Sequence, residues 1–153
     1  MSRPDAPRPD RMPFIALVDR ANRALQSDMV RAAHRQGHPE VKYAHNAVFS
    51  TLSEAGARAT DMAARAGITR QSMGEIVREM VELGILEMRP DPHDRRAKLV
   101  TYTKSGLEYV RGGFQHIIDL ESRFADELGD QEYDTARVVL ERVVQLLDEI
   151  AEE

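Results

Sequence analysis

Hydrophobic positions recur along this chain at two different periods. After Pro13, residues Phe14, Leu17, Val18, Ala21, Ala24 and Leu25 are apolar at spacings of three and four, the stripe of an amphipathic helix. Pro13 suits a first helical turn. The pattern runs to about Gln36, where Gly37 offers a stop. Pro39 opens a second predicted helix, with Val41, Ala44, Val48, Phe49 and Leu52 on its apolar side. The loop SEAGARA then leads to Thr60, a suitable N-cap for a short helix through Met62, Ala63 and Ala66 that Gly67 stops. Thr69 is the next N-cap. It precedes a stripe of Met73, Ile76, Val77, Met80 and Leu83, closed by Gly84.

Past Gly84 the period shortens. Ile85-Leu86-Glu87-Met88 is apolar-rich and Leu99-Val100-Thr101-Tyr102 is β-branched and aromatic-rich. Between them lies RPDPHDRRAK, so two strands around a proline-containing turn are predicted. The helical period then returns. Thr103 fits an N-cap for a helix lined by Leu107, Val110, Phe114, Ile117 and Phe124, reaching about Leu128. Gly129-Asp130 breaks it. A last helix carries Tyr133, Ala136, Val139, Leu140, Val143, Leu146, Leu147 and Ile150 opposite an acidic face. The fold class that follows is mainly α with a small β-hairpin. Residues 1–12, with three prolines and almost nothing apolar, are expected to be a disordered arm. Arg3, Arg8 and Arg11 could there meet a polyanion or simply be solvated.

Composition narrows the picture by exclusion. The 153 residues suit one domain, or one compact unit with an extension. Cysteine is absent, which removes disulfides, thiolate metal sites and a thiol-oxidation switch. No apolar run is long enough to span a membrane, and the N-terminus lacks the apolar core of a secretory signal. A cytoplasmic protein without membrane association is expected. No glycine-rich phosphate loop, nucleophile elbow or paired metal motif occurs, so neither an enzyme nor a cofactor is expected. His34, His38, His45, His93 and His116 do not converge at metal-ligand spacing; surface or capping roles suit them.

Charge adds a division. The net charge is −5, yet residues 1–57 and 58–104 each carry +2 and residues 105–153 carry −9. A positive surface built from the middle of the chain is therefore compatible with an acidic whole. Three short helices followed by a hairpin is the order of a winged helix-turn-helix, and Gly67-Ile68-Thr69 is the tight link that motif needs. Its second helix would present Thr69, Arg70, Gln71 and Ser72 at its N-terminal end, where such helices meet base edges. Arginine can hold guanine with two donors and glutamine can read adenine. Hydroxyls and helix-end N–H groups can take phosphates. A winged helix also serves as a protein-docking module without sequence-specific DNA binding, and the pattern leaves that reading open.

The run TDMAARAGITRQSMGEIVREMVELGILEMRPDPHDRRAKLVTYTKSG, residues 60–106, resembles the multiple antibiotic resistance regulator (MarR) family. The wing, DPHDRRAKLV followed by Thr103 and Gly106, is its most specific part. The flanking helices match by pattern and position only. The resemblance implies a homodimeric transcriptional regulator, usually a repressor, that binds a palindromic double-stranded DNA site. It implies DNA release by a small aromatic or phenolic effector bound between the dimerisation and DNA-binding regions. It divides the chain into an arm (1–12), a helical dimerisation region (13–38 and 103–153) and a winged helix-turn-helix DNA-binding domain (39–102). Thr69 to Ser72 match the start of the recognition helix, and Asp94 and Arg96 match the family's Asp-x-Arg wing. The arginine there reaches the minor groove and the aspartate helps hold the wing. Arg78, Arg95 and Lys98 are neighbours able to meet DNA. Tyr43 and His45 fall where family effector pockets form. Three departures stand out. Glu75 replaces a basic residue, and is expected either to accept from a cytosine amino group or to bond Arg70 or Arg78. Tyr102 replaces a leucine. Gly74 lies inside the recognition helix, where close packing against another helix, or close approach to DNA, would account for it.

Overall fold

The structure is a computed structural model that describes residues 11–152. The expected arm, apart from Arg11 and Met12, lies outside them. The backbone forms two compact units, one ending at Gly113 and one beginning at Phe114. No described helix is long and apolar enough to cross a membrane.

In the first unit, α1 spans Phe14–Arg35 and ends at Gln36, as the stripe predicts. Only Ala32 and Ala33 are buried along it. The second helix departs from expectation. It does not begin at Pro39 but as a short 3-10 turn, Tyr43–His45, that continues into α2, Asn46–Phe49. The residues between are in a turn, held by the Val41 N–H on the His38 carbonyl (3.2 Å). Lys42 is extended, and its N–H donates to Nδ1 of His45 (3.2 Å). That side chain caps the helix late and leaves Leu52 in the following loop.

The α3 helix spans Ala59–Ala66. Its N-cap is Arg58, without a side-chain cap bond, so Thr60 is a first-turn residue rather than the expected cap. The cause is upstream. Ala57 pairs with Val100 through two backbone bonds (3.1 and 2.8 Å), which fixes the chain just before the helix. Gly67 closes α3 in the left-handed region (φ +67°), a conformation glycine takes without steric penalty. After two more residues comes α4, Arg70–Glu82. Here the sequence reading holds: Thr69 Oγ1 accepts the Ser72 N–H at 3.1 Å.

Strands β1, Leu86–Asp91, and β2, Asp94–Tyr102, pair antiparallel. They are longer than the two four-residue runs predicted, and the expected loop shrinks to Pro92-His93. The outer hairpin carries no apolar alternation to reveal this: apart from the buried Asp91, its residues are mostly exposed and polar. The apolar core of this unit joins Val48, Leu52, Met62, Met73, Val77, Met80, Leu86, Val100 and Tyr102. It therefore gathers α2, α3, α4 and the hairpin base into one body. Tyr102 fills its place in that core and donates its hydroxyl to the Leu52 carbonyl (3.3 Å).

The α5 helix spans Lys104–Leu128. Thr103 Oγ1 accepts the Gly106 N–H (3.0 Å) and donates to the Gly84 carbonyl (2.5 Å). A side chain at Gly106 would place its Cβ 2.1 Å from the Ile85 carbonyl oxygen. Only glycine permits that approach, which explains why Thr103 and Gly106 occur together. Gly129 breaks the chain before α6, Asp130–Ala151. In the second unit Phe124 stacks obliquely on Tyr133 (6.1 Å between centroids). No residue of α6 is buried.

Candidate nucleic-acid interface

The rotation of α4 follows from its apolar residues. Met73, Val77 and Met80 are fully buried, so Arg70, Gln71, Ser72, Glu75 and Arg78 are left exposed. Thr69 Oγ1 also donates to the Ser72 hydroxyl (2.8 Å), which orders the first turn. Glu75 bonds neither Arg70 nor Arg78; it accepts from the Gln71 amide (3.2 Å). Gly74 has no close helix beside it. An added Cβ would meet only the Arg78 guanidinium, at an ordinary 3.5 Å. The packing explanation for this glycine is therefore set aside.

The wing is aimed by a register change. From Leu86↔Tyr102 to Pro90↔Lys98 the pairing is regular, but Asp91 then faces Asp94. Arg95, Arg96 and Ala97 thus have no partner on β1 and bulge from the ladder, which re-aims side chains. Asp94 accepts the Arg96 N–H (3.0 Å) and shapes this bulge. The anchor is a residue that sequence reasoning missed. Asp91 is buried at 4% exposure. It accepts from the His93 N–H (2.9 Å) and from Arg58 Nε (2.8 Å) and Nη2 (2.7 Å). The His93 amide first, then the Arg58 guanidinium, hold the Asp91 carboxyl below its usual range, and Asp91 in turn raises Arg58. The local half was readable, since an aspartate commonly caps the amide two residues on. The Arg58 partner, 33 positions away, left no local signal.

Cations sort into two groups. Arg58, Arg89 and Lys42 are engaged by Asp91, Glu87 and Glu79. Arg70, Arg78, Arg95, Arg96 and Lys98 are exposed, and among the described residues none of them has an ion pair. They belong to α4 and the hairpin, two parts of one packed unit; Arg20, Arg35, Arg65, Lys104, Arg111 and Arg123, on other elements, likewise have no ion pair among the described residues.

Tyr43 and His45 separate. His45 is wholly buried. With Nδ1 accepting from the Lys42 N–H, its proton sits on Nε2, 3.4 Å from Glu79 Oε2 on α4. That is ion-pair range but too long for a good hydrogen bond. Lys42 first, then His45, holds the Glu79 carboxyl low against the opposing effect of burial. The cluster ties the start of α2 to α4. Tyr43 instead lines an open cleft of about 370 Å³ shared by α1, α2, the Gly67 turn and α4. Among the described residues no group of three or more histidines or acids converges as a metal set.

Comparison with known proteins bears on this geometry. Residues 41–97 match the sequence model of the MarR family. An uncharacterised protein of Mycobacterium tuberculosis H37Rv is 25% identical over 115 residues, which is 75% of this chain and 78% of that protein. A crystallised MarR family transcription regulator superposes with a TM-score of 0.75 at 20% identity, covering 91% of both chains. CouR of Rhodococcus jostii RHA1, solved with p-coumaroyl-CoA, superposes with a TM-score of 0.65 at 20% identity, over 83% of this chain and 88% of that one.

Proposed function

We propose, from the match of residues 41–97 to the MarR family model and the likeness of the fold to a crystallised regulator of that family, that the chain is a homodimeric, DNA-binding repressor of the cytoplasm. The supporting observation is the sorting of cations. Five exposed arginine and lysine side chains without ion pairs lie together on α4 and the wing, while Arg58, Arg89 and Lys42 of the same unit are engaged by acids. Free cations at the two elements that enter DNA grooves suit phosphate and base-edge contact.

In this reading Arg70 and Gln71 read base edges in the major groove, and Thr69 and Ser72 meet phosphate with the helix N-terminus. Glu75 orients Gln71. Arg96 enters the minor groove and Arg95, Lys98 and Arg78 meet the backbone. Residues 39–102 bind DNA, and residues 13–38 with 103–153 form the dimer. A two-fold dimer fits a palindrome with half-sites about one turn apart. The cleft at Tyr43 holds a small effector. Its wall includes the first turns of α4, so occupancy would bias the recognition helix. The test is fluorescence anisotropy on a duplex selected by the protein, across salt. Tight, salt-sensitive binding that weakens in Arg96→Ala is expected; unchanged binding in that variant would remove the wing from the interface.

A further inference from the structure

The first two turns of α4 hold a single acid, Glu75, among residues otherwise suited to a polyanion. It is exposed. Arg78 stands three positions on, within reach of a helical ion pair. Yet among the described residues Glu75 has no ion pair. Its partner is neutral, the Gln71 amide one turn back (3.2 Å). A carboxylate only accepts hydrogens, so the Gln71 amide nitrogen must face it. Left over are Gln71 Oε1, the second amide N–H, Glu75 Oε2 and an uncompensated negative charge. Both residues lie on the helix face opposite the buried Met73, Val77 and Met80. Beside them Gly74 carries no side chain, and no packing neighbour requires that, since an added Cβ would meet only the Arg78 guanidinium at 3.5 Å. The backbone next to Glu75 is therefore free to come close to a surface on which the helix docks.

A carboxylate near phosphates is repelled. In a major groove it gains only where a base edge presents a donor. Cytosine N4 and adenine N6 are donors; guanine O6 and N7 and thymine O4 are acceptors. Adenine N6 is flanked by the acceptor N7, whereas cytosine N4 is flanked by the C5–H edge, so cytosine suits a carboxylate better. We propose that Glu75 is a specificity-determining residue: it makes α4 require a cytosine at one position of each half-site and reject guanine and thymine there. The inference rests on the proposed regulator reading, which puts α4 in the major groove, and adds which base the helix demands and which residue demands it. Glu75 lowers affinity for DNA in general and raises the ratio between right and wrong sites, which is specificity by repulsion.

The test is selection of duplexes from a random library by the full chain and by Glu75→Ala and Glu75→Gln, followed by fluorescence anisotropy on single-base variants of the wild-type site. Wild type is expected to select one cytosine per half-site that depends on Glu75, with thymine there binding ~10-fold more weakly, the scale of one good base-edge contact. In Glu75→Ala that discrimination should vanish while affinity for mismatched and random duplexes rises. Glu75→Gln supplies an amide that pairs with adenine N6 and N7, and should move the selected base from cytosine to adenine. Thermal unfolding of each variant separates a folding defect from a lost contact. Unchanged base preference at every position in Glu75→Ala would overturn the inference and leave the regulator reading standing. So would a gain in affinity equal for all duplexes, which would make Glu75 a repulsive charge and nothing more. If the wild type selects no duplex at all, both readings fall.

Discussion

Asp91 anchors the wing beside Asp94, which shapes its bulge. One buried group takes three hydrogen bonds, two of them from Arg58. Its carboxyl is held low, so its stabilising contribution is complete above the ordinary carboxylate value near 3.8 and is lost as pH falls below that. The wing is expected to loosen in acid before the helices do, seen as early loss of amide protection at Arg96 and His93 by hydrogen exchange. Asp91→Asn should abolish that early phase and weaken DNA binding several-fold; an unchanged acid profile would contradict the anchor. Gly74 offers a second residue-scale test. Alanine meets no clash there, so Gly74→Ala should stabilise the fold by about 1 kcal/mol. If it also lowers DNA affinity, the glycine marks close approach of DNA to the helix backbone. Tyr102 is pushed up to about 12, by burial first and the nearby Tyr109 second. Its raised value means stability is present below pH 10 and declines as pH climbs toward 12. A tyrosinate absorbance titration should lose a late-ionising component in Tyr102→Phe.

At the scale of elements, the helices with strong apolar stripes were legible, and their ends fell where Thr69, Gly67 and Gly129 indicated. The beginnings of α2 and α3 were not. They are set by a buried histidine accepting from Lys42 and by a bridge between Ala57 and Val100, contacts that no local pattern encodes. The outer hairpin was misread as loop because, apart from the buried Asp91, its residues are mostly exposed and carry no apolar alternation. The Thr103–Gly106 pair shows the opposite case, a short motif whose cause is tertiary. Thr103 and Ser105 both bond the Gly84 carbonyl (2.5 and 3.1 Å), and Gly106 lies against Ile85. This junction fixes the start of α5 on the turn between α4 and β1. Gly106→Ala should cost more than about 3 kcal/mol, beyond ordinary overpacking, read by urea unfolding. A loss under 1 kcal/mol would show that the junction slides freely.

Over the whole molecule, apolar surface is the feature a lone chain leaves unexplained. Val138, Val139, Leu140, Val144, Leu147 and Ile150 of α6 are all about half exposed or more, and Phe14, Ile15 and Leu17 of α1 likewise. Stripes of this extent on soluble chains mark association, which agrees with the proposed dimer. Paired Leu140→Lys and Leu147→Lys changes should yield monomers by analytical ultracentrifugation and weaken operator binding. A wild-type chain that sediments as a monomer at micromolar concentration would remove the dimer. The −9 charge of residues 105–153 lies in the helices assigned to association, apart in sequence from the cations of α4 and the wing. Much of this was readable from the chain, since the charge division and the stripes are local; the lining of the cleft was not, because Gln26, Asn46 and Ser72 meet only on folding. The central claim is that α4 and the wing read DNA. Selection from a random duplex library, followed by sequencing, tests it most directly: an enriched palindrome with half-sites about one helical turn apart, lost in Arg70→Ala, is the expected result, and no enrichment above the starting library would contradict it.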